Sequence, residues 1–218
     1  MHIHTAKNKI WNLCRQPGQD KVNAVANTLG ILPATARLLC QRGCDTPDSA
    51  RSFIQKDTGT LHDPYLMRDM DRAVERIRRA LVNREKIVIY GDYDVDGVTS
   101  VTILYSYLRI HSADVSYYIP NRVGEGYGIN LDAIRSLAAQ HKQLLITVDT
   151  GITAIDEIAE AARLGIDTVV TDHHECRPEL PVCAAVVNPR RSDCGYPFKE
   201  LAGVGVAFKL ICALEQSL

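Results

Sequence analysis

Residues 87–100 read IVIYGDYDVDGVTS, an apolar, β-branched run that ends in aspartates at alternate positions, Asp92, Asp94 and Asp96, between Gly91 and Gly97. The run has the length and composition of a buried strand. The residues after it, VTSVTILYSYLRI, carry a helical pattern. Strand, glycine-flanked turn and helix in that order open a βαβ unit. Three carboxylates this close repel one another and gain nothing from packing, so their charge needs a partner at the end of the strand.

Working outward, the pattern repeats. KIVIYGD, DVSYYIP, LLITVD, DTVVTD and AAVVN are short apolar runs, and NLDAIRSLAAQ and AIDEIAEAARLG lie between them with helical spacing. Strands apolar on both faces, alternating with helices, predict an α/β fold: a parallel sheet flanked by helices. Upstream the chain reads as helices. KVNAVANTLG and PATARLLCQRG show the usual start and stop residues, and TPDSARSFI reads as a short capped helix. Met70, Ala73, Val74, Ile77 and Leu81 are spaced for one buried stripe, while Glu75, four residues before Arg79, marks a solvated face. The expected division is a helical N-terminal region, residues 1–84, and an α/β domain, residues 85–218, with a soft boundary near Arg84.

Composition narrows the class without naming a substrate. The chain has 218 residues, 46% hydrophobic and 23% charged, with a net charge of −1. That is ordinary for a globular protein, and it leaves local phosphate contacts open. No apolar run approaches the ~20 residues of a membrane-spanning helix. The N-terminus lacks the apolar core of about 7–15 residues expected of a signal peptide. Seven cysteines without a CxxC pair argue against a disulfide framework, so the cytoplasm is the expected location.

In a parallel α/β sheet the strands end on one edge, and ligands bind there. One strand ends in Asp92, Asp94 and Asp96, another in Asp149 (ITVDTGI), and a third in Asp172, His173 and His174 (VVTDHHE). Any one of these alone reads as a loop, a helix cap or a polar strand end. At three strand ends of one sheet they read as a metal site. Carboxylates mixed with imidazole suit Mn²⁺ or Mg²⁺. Gly91 and Gly97 allow a sharp turn and a close helix start, where Thr99 and Ser100 are placed to help bind an anion through hydroxyls and amides. Cys176, Cys183 and Cys194 fit no standard zinc spacing and read as buried or loop thiols.

GDYDVDG, VDTGI and VTDHH together resemble the first three motifs of the DHH phosphoesterase superfamily. Within it, PNRVGEGYGIN and LAGVGVAFKL resemble the segments of the RecJ family, single-strand-specific exonucleases of bacteria. The resemblance runs from about Asp63 to the C-terminus. It implies that residues 85–218 are a DHH catalytic domain, and that the enzyme cleaves phosphodiester bonds with Mn²⁺ or Mg²⁺, two ions in the complete site. RecJ-like enzymes degrade single-stranded DNA from the 5′ end in recombination and repair. Single-stranded DNA is thus the expected partner, with a single-strand-binding protein or a helicase as further candidates and no membrane.

Carried over motif by motif, the resemblance makes Asp94, Asp96, Asp149 and His173 metal ligands, Asp149 bridging two ions. His174 would sit against the scissile phosphate, Asp92 and Asp172 would orient their neighbours, and Arg122 would hold a substrate phosphate, beside which Ser100 at the helix start is the second expected phosphate contact. The family carries a fourth motif, with another metal-binding aspartate, downstream of the GVGVAFKL helix. This sequence stops at Leu218, and the expectation is therefore an N-terminal portion of a longer RecJ-like protein. Two alternatives stand beside this: a DHH phosphoesterase for short oligonucleotides, cyclic dinucleotides or pyrophosphate, and a non-catalytic DHH module that binds a replication or repair partner.

Overall fold

The structure is a computed structural model that describes residues 14–55, 61–111, 113–121, 126 and 128–217, together with the backbone of 2–4 and 10–12. Internal contacts divide the chain into two compact units, residues 1–61 and 62–218.

In the first unit, β1 (His2–His4) pairs antiparallel with β2 (Ile10–Asn12). Three helices follow: α1 (Gln19–Leu29), α2 (Pro33–Gln41) and α3 (Pro47–Ile54). Pro33 and Pro47 stand in the first helical turn, where the missing amide costs nothing. Thr46 and Ser49 cap α3 reciprocally, each side chain accepting from the other's amide. Val22, Val25, Ala36, Leu39 and Ala50 form its small core.

The second unit holds the α/β fold. A 3₁₀ turn at Pro64–Leu66 leads into α4 (Met70–Asn83). Then come β3 (Ile87–Gly91), α5 (Val95–Ile110), β4 (Val115–Tyr118), α6 (Leu131–Ala139), β5 (Leu144–Val148), α7 (Ile155–Arg163), β6 (Asp167–Thr171), β7 (Ala185–Val187) and α8 (Gly203–Gln216). The five strands β3–β7 form one parallel sheet in the order β4-β3-β5-β6-β7.

The central strands pack on both faces, which explains their continuous apolar runs. Ile87 and Ile89 face a core shared with α4, α5 and α8, while Val88, Tyr90 and Leu145 face α6 and α7. Burying each such side chain contributes roughly 1.5–3 kcal/mol. Helix α4 belongs to this core. Met70, Ala73, Val74, Ile77 and Ala80 are buried in it, with Leu81 only partly covered. The division between the units therefore falls between residues 61 and 62, where the sequence reading put a boundary near Arg84. An amphipathic stripe shows that a helix packs on something, but not on what.

The strand order positions the site. The chain steps from β3 outward to β4, returns past β3 to β5, and continues through β6 to β7. Reversal of direction leaves a crevice beyond the carboxyl ends of β3 and β5, where α/β sheets bind ligands.

Candidate metal centre

One row of the sheet register defines the rim. Gly91 pairs with Val148, Val148 with Thr171, and Thr171 with Val187. The next residue on each strand is polar: Asp92, Asp149, Asp172 and Asn188. All four are at most 3% exposed. Four buried polar side chains side by side must be satisfied by hydrogen bonds or by a bound ion.

At the β3 end, Gly97 folds back over Asp92, and a Cβ there would lie 2.4 Å from the Asp92 carbonyl oxygen. Only glycine allows this approach. Asp94 is the N-cap of α5, its Oδ1 accepting from the Gly97 amide at 2.9 Å. Asp96 accepts from a different helix: Gly203 N donates to Oδ2 and Val204 N to Oδ1, each at 2.7 Å. These amides open α8, which has no side-chain cap of its own. An aspartate distant in sequence fills that role.

At the β5 end, Asp149 adopts the left-handed region with φ 57°, an uncommon state for a non-glycine residue and a frequent mark of a functional turn. Two threonine hydroxyls brace the chain around it. Thr147 Oγ1 donates to the Thr150 carbonyl at 2.8 Å, and Thr171 Oγ1 donates to the Thr147 carbonyl at 2.7 Å.

At the β6 end, Asp172 organises the histidines. Its Oδ1 accepts from the amides of His173 (2.7 Å) and His174 (3.1 Å), and its Oδ2 from the amide of Ile152 (2.9 Å). His174 Nδ1 also lies 2.7 Å from Oδ1. Burial pushes the Asp172 carboxyl upward, but the His174 bond and these amides more than offset it and hold it below the usual range. The same bond raises the His174 imidazole against the effect of burial. His173 Nε2 lies 3.1 Å from Asp149 Oδ1 and 3.7 Å from Asp96 Oδ2.

Two groups of potential ligand atoms result, each within 4.8 Å of one another: Asp92, Asp94 and Asp149, and Asp149, His173 and His174. Asp149 belongs to both. The residues fit divalent cations on two further observations. Asp149 Oδ1 is buried and accepts no hydrogen bond in this geometry, although His173 Nε2 stands close by. Burial, then the charges of Asp96 and Asp94, push the Asp149 carboxyl up to about 7. A cation beside it would relieve all three effects.

The sequence-predicted residues fare differently. Asp92, Asp94, Asp96, Asp149, Asp172, His173 and His174 converge on this rim. Asp92, expected only to orient its neighbours, groups with Asp94 and Asp149 at ligand spacing. Asp96, expected as a ligand, lies outside both groups, with each carboxylate oxygen accepting an α8 amide. Asp172 Oδ1 lies 2.7 Å from His174 Nδ1. Ser100 is a correction. It is fully buried, and its hydroxyl donates to the Asp96 carbonyl at 2.6 Å, so it cannot reach a substrate phosphate. Thr99 likewise donates to the Val95 carbonyl at 2.6 Å. Both follow the back-bonding habit of hydroxyl residues in helices. Arg122 lies outside the described residues.

Two contributors escaped the sequence reading. Asn188 donates from Nδ2 to the His174 carbonyl at 2.9 Å and accepts the Arg190 amide at 2.8 Å, tying β7 to the histidine loop. Its signal was a polar residue directly after the run AAVV. The α8 amides that hold Asp96 gave no comparable signal.

The model of the DHH family, N-terminal domain, matches residues 86–217. The chain belongs to the DHH family. Among curated DHH relatives, it is 50% identical over 204 residues to the single-stranded-DNA-specific exonuclease RecJ of Bacillus subtilis, covering 94% of this chain and 26% of that one. It is 35% identical over 213 residues to the RecJ of Thermus thermophilus, covering 95% and 29%. A crystal structure of exonuclease RecJ bound to manganese matches with TM-score 0.64 and 33% identity, over 69% of this chain and 38% of that one. RecJ from Thermus thermophilus in complex with Mn²⁺ matches with TM-score 0.69 and 27% identity, over 92% and 28%. This DHH chain thus spans less than a third of the length of these curated relatives.

Proposed function

We propose that this chain carries the cation-binding centre of a metal-dependent phosphodiester hydrolase that degrades single-stranded DNA from its 5′ end. The observation that carries the reading is the pair of ligand groups sharing Asp149 at the switch point of the sheet. The similarity to RecJ, including relatives crystallised with manganese, supports the same substrate and cation.

Asp92, Asp94 and Asp149 would hold one Mn²⁺ or Mg²⁺, and Asp149 with His173 a second, faced by Asp96. Bound there, a pair of such ions lowers the pKa of water and neutralises charge on phosphoryl oxygens. The side chains set up the rest. Asp172 fixes the His174 ring at Nδ1, and the His174 side chain is 43% exposed where Asp172 is 1%. From its Nε2 the ring would donate to a phosphoryl oxygen as its charge develops. Asn188 ties the backbone of that loop to β7.

A substrate without a paired strand makes a helicase or a single-strand-binding protein the natural partner class, and the cytoplasm the natural location. None of the helices in the described residues is long and apolar enough to cross a membrane. The test is incubation of the full gene product with Mn²⁺ and 5′-labelled single-stranded DNA. Release of labelled mononucleotide is expected. Hydrolysis of pyrophosphate or cyclic dinucleotides with the DNA left intact would overturn the proposal.

A further inference from the structure

We infer that Gly203 is a positioning residue that registers Asp96 against Asp149, so that helix α8 sets the geometry of the cation centre. The inference rests on the cation reading above and adds a part of the chain that contributes no ligand.

Two independent contacts meet at Gly203. Its amide, with that of Val204, holds both oxygens of Asp96 at 2.7 Å. Its α-carbon faces Asp149 so closely that a Cβ would lie 2.5 Å from Asp149 Oδ1 and 2.7 Å from Asp149 Cβ and Cγ. The backbone of Gly203 is not in the left-handed region, so conformational freedom does not demand glycine here. The missing side chain does. Gly205, two residues on, differs: the three atoms nearest a Cβ there all belong to the Leu201 side chain, the closest its Cδ2 at 3.1 Å, which can give way.

Neither partner can retreat cheaply. Helix α8 is anchored by Val206, Ala207, Leu210, Ala213 and Leu214 in the main core. Its buried Lys209 donates to the His62 carbonyl at 2.6 Å, and Tyr65 Oη donates to the Ala213 carbonyl at 3.0 Å. Asp149 is held through its amide, which donates to the Thr171 carbonyl at 3.1 Å. A methyl group at position 203 must therefore turn the Asp149 carboxylate or pull the amides from Asp96. Charge-assisted bonds at a helix N-terminus are the strong kind, and losing them releases the Asp96 side chain to other rotamers. Either way two acidic groups lose their mutual aim.

The experiment compares Mn²⁺ affinity, read from the electron-paramagnetic-resonance signal of free Mn²⁺, with thermal unfolding in chelator. It uses the wild-type protein, Gly203→Ala and the control Gly205→Ala. Gly203→Ala should bind Mn²⁺ at least tenfold more weakly, and Gly205→Ala within twofold of wild type. Should Gly203→Ala fail to fold, Val204→Pro serves instead, because proline is accepted in a first helical turn while deleting the amide to Asp96. It should weaken Mn²⁺ binding with little change in the metal-free unfolding temperature. Wild-type affinity in Gly203→Ala, or in Val204→Pro where that variant is used, overturns this inference alone. A wild-type protein that binds no Mn²⁺ overturns the cation reading beneath it.

Discussion

His174 Nδ1 lies 2.7 Å from Asp172 Oδ1, an oxygen that also accepts the amides of His173 and His174. One buried carboxylate thereby fixes a backbone turn and a ring orientation together. An asparagine in its place keeps the volume and removes the charge that raises the imidazole's titration. Asp172→Asn should lower the His174 titration midpoint, followed by the NMR shifts of its ring protons, and reduce turnover by about 10²-fold. An unchanged midpoint would show that the contact does not operate in solution.

The two histidines should separate by function. His173 Nε2 points at Asp149 and Asp96, whereas His174 is committed through Nδ1 to Asp172. His173→Ala should weaken Mn²⁺ binding and turnover together, and His174→Ala turnover far more than binding. Isothermal titration with Mn²⁺ beside single-turnover DNA cleavage checks this. Equal loss of metal from both variants contradicts the division.

Asp149 makes a pH prediction for the metal-free protein. Its carboxyl is raised to about 7 by burial and by Asp96 and Asp94, above an unfolded value of about 3.9. Between these values the native state holds a proton that the unfolded state has released. Stability from this group is therefore full below about pH 4 and lost as pH rises through about 7, by up to a few kcal/mol. Asp149→Asn, which tolerates φ 57° better than alanine, should flatten that slope in urea unfolding run in chelator. An unaltered slope would place the effect elsewhere.

Asn188 is buried and bridges β7 to the His174 carbonyl. Asn188→Ala leaves that carbonyl without its bond and should cost about 1–3 kcal/mol. At about 2–4 °C per kcal/mol for a chain of this size, calorimetry would register a lower unfolding temperature. Turnover should fall as well, because the histidine loop loses its tether.

Much of this site was legible in the sequence because the strands are buried on both faces. Apolar runs that stop at Asp92, Asp149 and Asp172 show both the strand and its polar edge, and the parallel topology brings such edges together. Contacts distant in sequence left no trace: Asp96 meets α8 across 107 residues, and no local pattern encodes that pairing. Ser100 misled because its hydroxyl, four residues past Asp96, finds a carbonyl one helical turn back. The α4 stripe showed amphipathicity and was silent about its partner, which is the sheet core.

The proposed bridging role of Asp149 is tested most directly by crystallising the full gene product with Mn²⁺ and collecting anomalous diffraction at the manganese edge. Two anomalous peaks are expected, one on each side of the Asp149 carboxylate, one near Asp92 and Asp94 and the other near His173. Manganese bound elsewhere, or with Asp149 out of coordinating reach of both peaks, would contradict the shared-carboxylate centre.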